Sequence, residues 1–126
     1  MTSDGSAVMR LQRALANPHT SASQIRAIAS ELPLVALEDA LAILLGLLER
    51  EPSTYPRAAA RWGARLTLER RLSLVDAQLA LAGLAVLPGL GARAGVEALI
   101  ELSDRYGLRR VDELLIAWLR RRGLGE

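Results

Sequence analysis

The chain predicts a single all-α domain of six to seven helices, packed as antiparallel pairs in a bundle or a short stack. Three observations carry this. The stretch 34–48 places Leu34, Leu37, Leu41, Leu44, Leu45 and Leu48 on one side at 100° per residue, with Ile43 and Leu47 widening the arc. Capping signals and Pro or Gly stops recur at helical intervals along the rest. No window sustains the two-residue alternation of a strand.

Residues 1–5 are expected to fray. A first helix is predicted over about 6–16, with Val8, Leu11 and Leu15 inward, stopped by Asn17-Pro18. Ser21 and Gln24 have capping-box spacing and open a second helix that buries Ile25, Ile28, Ala29 and Leu32 and stops near Pro33. The long apolar helix follows and ends at Glu51-Pro52. Ser53 or Thr54 caps a fourth helix with Pro56 in its first turn and Ala59, Trp62 and Leu66 inward. Ser73 and Asp76 open a fifth, which Leu87-Pro88-Gly89 closes. A sixth runs over about 93–106, with Val96, Leu99, Ile100, Ser103 and Tyr106 inward and Gly107 as its stop. The seventh turns Val111, Leu114, Leu115, Trp118 and Leu119 inward, and residues 121–126 form a flexible tail.

Asp39, Asp76 and Asp112 each stand near the start of an apolar helix, dividing residues 21–51, 53–88 and 90–122 into three helix pairs. That period lies between those of tetratricopeptide and HEAT repeats, so a HEAT- or tetratricopeptide-like stack stands beside the bundle as an architecture. Neither repeat consensus is present. Asp at a helix N-terminus also simply complements the dipole.

Composition narrows the function classes. The 126 residues are 51% hydrophobic, with no cysteine and no phenylalanine, so aliphatic packing must build the core. Glu38 and Asp39 interrupt the most apolar segment, which is too short to span a bilayer. The N-terminus carries an acid early and no apolar leader. All sixteen basic residues are arginine, as codon bias in a GC-rich bacterium would produce, and the net charge is only +2. The expectation is a bacterial cytoplasmic protein that does not enter membranes.

No reactive centre is legible. His19, the sole histidine, lies in a loop with no acid near it in sequence, and a solvent-exposed loop residue is expected. One histidine without cysteine excludes the common zinc and di-iron patterns from a single chain. Arg93, Glu97, Glu101 and Arg105 follow at four-residue spacing and are read as surface pairs. The glycines of 89–91 and 123–125 follow helices and lack a phosphate-loop fingerprint. The expectation is therefore a protein that is not an enzyme, with no cofactor and no metal.

Two surfaces remain. Arg57, Arg61 and Arg65 form a ridge of like charge on the fourth helix. Glu69, with Glu49 and Glu51 from a neighbouring helix end, is expected to compensate it. The alternative is an anion, phosphate or nucleic acid. The fifth helix carries two apolar faces, Leu74, Ala77, Leu81 and Leu84 on one and Val75, Leu79, Ala82 and Val86 on the other. Gln78 separates them on one side, Asp76 and Gly83 on the other. Such a helix is expected between two layers. The leading expectation is a helical interaction or scaffolding domain that pairs with itself or another protein. Val75, Leu79, Val86 and Ile116 are its predicted contacts. Nucleic-acid binding through the arginine ridge is the second.

Overall fold

The computed structural model describes residues 3–32 and 34–123. The helices are α1 (Ser3–Ala16), α2 (Ala22–Ala29), α3 (Leu37–Arg50), α4 (Tyr55–Arg70), α5 (Leu74–Ala85), α6 (Ala92–Arg105) and α7 (Arg109–Arg121). A 3-10 turn at Pro52–Thr54 precedes α4, and no strand occurs among the described residues. α1 starts at Ser3 rather than Ser6, and Arg121 belongs to α7 rather than to a tail. The rest of the expected N-terminal fray and tail, residues 1–2 and 124–126, lies outside the described residues, as does Pro33.

The helices close into a ring. α3 packs on α4, α4 on α5, α5 on α6, α6 on α7, and α7 returns to α3. A solenoid would stack alternate helices, yet α5 touches neither α3 nor α7 among the described residues. The architecture is therefore a closed bundle. Short connections make consecutive helices antiparallel, which leaves α3 and α7 running the same way. The Arg110–Glu38 pair, 3.3 Å apart, joins their two N-terminal ends.

Inside the ring, Leu41, Leu84, Leu87, Leu115 and Trp118 are excluded from water. The few polar atoms that reach the core from α4 are satisfied. Tyr55 donates its hydroxyl to the Leu84 carbonyl at 2.6 Å, and the Trp62 indole donates to the Leu37 carbonyl at 2.9 Å. Arg122 lies over the Trp118 ring, 4.8 Å from its centroid, so one arginine of the basic C-terminal run covers the core.

α3 is the helix with two packed sides. Leu41, Leu44, Leu45 and Leu48 face the ring. On its other side the α1–α2 hairpin adds a second layer built on Ala7, Leu11, Ile25 and Leu32, with Ile43 against it. The broad apolar arc read from the sequence thus has its physical cause, except at Leu34. That residue precedes the helix and is 84% exposed. The hairpin itself opens as expected: Ser21 Oγ accepts from the Gln24 amide at 3.2 Å, and Gln24 Oε1 accepts from the Ser21 amide at 2.8 Å. Gly107 ends α6 at φ 70°, with the Leu108 amide reaching back to the Ser103 carbonyl at 2.9 Å. Thr54 departs from expectation: its hydroxyl turns back to the Glu51 carbonyl at 2.9 Å and caps nothing on α4.

Arg50 ties the two layers together. Its guanidinium donates to the carbonyls of Thr20 (2.7 Å), Asn17 (2.9 Å), Gly46 (3.0 Å) and Leu15 (3.3 Å). One side chain therefore serves the C-terminal carbonyls of α1 and the last turns of α3, where a positive charge also complements both dipoles.

Candidate interaction face

α5 is apolar all round, so its own sequence does not choose which side faces the core. Its neighbours do. Asp76 is 8% exposed because Tyr106 donates its hydroxyl to Oδ2 at 2.6 Å and Arg105 pairs with Oδ1 at 3.1 Å. That bond to Asp76 also pushes the Tyr106 hydroxyl above its ordinary pKa. Ser73 Oγ accepts the Asp76 amide at 3.1 Å and fixes the helix start. One turn before the end, Gly83 meets Gly95 of α6 so closely that a Cβ on Gly95 would stand 2.6 Å from the Gly83 carbonyl oxygen. These anchors turn Asp76, Ala80, Gly83 and Leu84 inward.

This corrects the sequence reading of α5. Asp76 and Gly83, taken as separators between two buried faces, form the buried face. The apolar residues are displaced outward: Leu74 is 76% exposed, Val75 71% and Leu81 46%. α4 and α6 flank α5 on either side, and nothing covers it from outside among the described residues. The two-layer helix is α3.

Of the four predicted contacts, the structure brings Val75 and Val86 together on this outer face. Leu79 is half-buried against the core. Ile116 is exposed, but on α7, which does not touch α5. Sequence reasoning did not single out Leu68 on α4 and Leu90 after α5, both exposed, and assigned Leu74 and Leu81 to the interior. Between α4 and α5 the face dips into an apolar groove of about 270 Å³, walled by Pro56, Ala60, Leu81, Ala85 and Pro88.

The arginine ridge borders this face on the side toward α3. Arg65 is committed: it pairs with Glu69 and donates to the Val35 carbonyl. Arg57 and Arg61 are exposed and have no acid in reach among the described residues. The expected compensation from Glu51 does not occur, because Arg26 holds that carboxylate at 2.7 Å and lowers its pKa through the hydrogen bond. Glu49 lines a separate groove between α1, α3 and α7. On α6, Arg93 pairs with Glu97 at 3.8 Å as expected, while Arg105 serves Asp76 rather than Glu101.

Other candidates resolve into structure. His19 is exposed, and its backbone amide, not its ring, bonds Asn17 Oδ1 at 3.0 Å. The groove between α1, α3 and α7 measures about 480 Å³, with Leu15, Leu45 and Leu114 in its walls and Arg50 already engaged by carbonyls. Among the described residues no three metal-ligating side chains gather, and no helix is long and apolar enough to cross a membrane.

Asp112, at the start of α7, accepts the Ser103 hydroxyl. Burial first, then the adjacent Asp104 and Glu113 carboxylates, push its carboxyl up to about 7. An unfolded aspartate titrates near ~4. A carboxyl held above its unfolded value stabilises the fold fully below that value and ceases to as pH rises through the folded one. Asp112→Asn should therefore leave the urea midpoint little changed near pH 4 and raise it above wild type near pH 8. A difference independent of pH would contradict this.

No family model matches the chain, and no curated protein and no solved structure matches it.

Proposed function

We propose that this chain is a non-catalytic protein–protein interaction or scaffolding domain of a bacterial cytoplasm, acting through the outer face of α5. One observation carries the reading: α5 buries its acid and its glycine and presents Leu74, Val75 and Leu81 to water. A helix apolar all round is ordinarily covered all round, and contiguous exposed aliphatic patches mark association sites. The flanking arginines would orient the partner at the rim.

A photo-crosslinking residue at Val75 or Leu74, introduced into the protein in its own cells, should yield discrete protein adducts. The same probe at exposed Arg109 should not. Equal or absent labelling at both positions contradicts the reading. A second reading, nucleic-acid or phosphate-ligand binding, is favoured by Arg57 and Arg61 alone, since Arg65 is already satisfied. It requires affinity that falls steeply with salt, and no binding of DNA or RNA at ~50 mM salt dismisses it.

A further inference from the structure

We propose that the groove between α3 and α4 receives an acidic amphipathic helix of another protein. Its carboxylates pair with Arg57 and Arg61, and an aliphatic side chain enters the slot beside them. The proposal does not depend on the α5 face.

Both helices build the groove. α3 contributes Ala40, Ile43 and Leu47 to its walls, and α4 contributes Ala58, Arg61 and Arg65. Alanine on each wall leaves an apolar slot of about 220 Å³, open to solvent. Arg61 lines the slot, and Arg57 stands one turn before it on the same side of α4.

Like charges at four-residue spacing repel, and the fold relieves only one of the three. Arg65 has Glu69 and the Val35 carbonyl. The acids at the two ends of α3 are engaged elsewhere, Glu51 by Arg26 and Glu38 by Arg110. Glu49 lines the groove between α1, α3 and α7. Arg57 and Arg61 therefore remain exposed, with no acid in reach among the described residues. Their complement is an anion from outside.

The slot selects among anions. A nucleic-acid backbone has nothing to place in it, and base stacking needs an exposed ring. Trp62, the aromatic in the groove wall, is 5% exposed. Small-molecule sites enclose roughly 300–1,000 Å³, and this slot is smaller and open. It suits a single aliphatic side chain of a peptide. Carboxylates are the planar partners that guanidiniums address in pairs of hydrogen bonds. Residues four apart on a helix rise by ~6 Å, the interval that separates Arg57 from Arg61. A helix laid along the groove with Asp or Glu at i and i+4, and Leu or Ile on the adjoining stripe, meets both cations and the slot together.

Selection of short random peptides displayed against the intact chain should enrich sequences with two acids four residues apart and an aliphatic neighbour. An enriched peptide, synthesised and titrated by fluorescence anisotropy, should bind at least ~10-fold more weakly to Arg57→Glu with Arg61→Glu at unchanged helicity. Ala58→Leu, which fills the slot, should weaken it in the same direction. Arg109→Glu and Val75→Asp should leave it unchanged. No enrichment, enrichment without paired acids, or affinity indifferent to either groove substitution overturns the inference. A single-stranded DNA oligonucleotide that binds through Arg57 and Arg61 while no acidic peptide does also overturns it, and returns the ridge to nucleic acid. If an enriched peptide is lost with Val75→Asp instead, the interaction reading survives and the groove assignment falls.

Discussion

Gly95→Ala should cost about 3 kcal/mol and lower the melting temperature by about 10 °C. The added methyl would stand 2.6 Å from the Gly83 carbonyl oxygen, 2.7 Å from Val86 Cγ2 and 3.1 Å from Leu87 Cδ2. The two side chains can turn aside, but the carbonyl belongs to the backbone of α5. Relief requires α5 and α6 to separate, which would also loosen Leu84 and Leu99 from the core and strain the Asp76–Arg105 pair. Gly89→Ala is the matched control, since nothing lies within 4 Å of its added methyl. It should be neutral by thermal denaturation. Equal effects of the two substitutions would refute the close crossing.

Arg50→Ala should cost about 2–3 kcal/mol, the scale of hydrogen bonds to a charged group. Four carbonyls lose their donor, and three of them, on Leu15, Asn17 and Thr20, belong to the end of α1 and the loop that follows. Water can reach part of this site, which keeps the loss below a sum over four bonds. The damage should be local. Amide exchange should accelerate in α1 and α2 and remain slow in α4–α7. Arg50→Lys should recover only part, because an ammonium cannot reproduce the planar fork that addresses several carbonyls together. Uniform acceleration throughout the chain would show that the hairpin is not a separable layer.

Much of the fold was legible because most helices carry a clear apolar stripe. Ile25 and Leu32, Trp62 and Leu66, Val96 and Leu99, and Leu115 and Trp118 are all inward, as their spacing predicts. α5 was legible as a helix but not in its orientation. Its apolar residues surround the axis, so periodicity selects no side. The deciding groups, Arg105, Tyr106 and Gly95, lie on or just beyond α6, and nothing local to α5 announces them. The ridge of Arg57, Arg61 and Arg65 was visible by spacing. Which arginine is spent internally depends on where Val35 falls in three dimensions. Arg50 was missed for the same reason. Its only local signal was Gly46, one turn earlier, where the absence of a side chain lets the guanidinium fold back and Leu15 approach.

Closure of the ring by α7 has a consequence for synthesis. The leucines of α3 that face the ring interior obtain their final cover from α7, which is made about 70 residues later. At ordinary translation speeds that interval is roughly 4–14 s. Throughout it Leu41, Leu44, Leu45 and Leu48 belong to a nascent chain with an unfinished interior. A ribosome-associated chaperone would find an apolar target at α3, and release should coincide with emergence of Leu115 and Trp118.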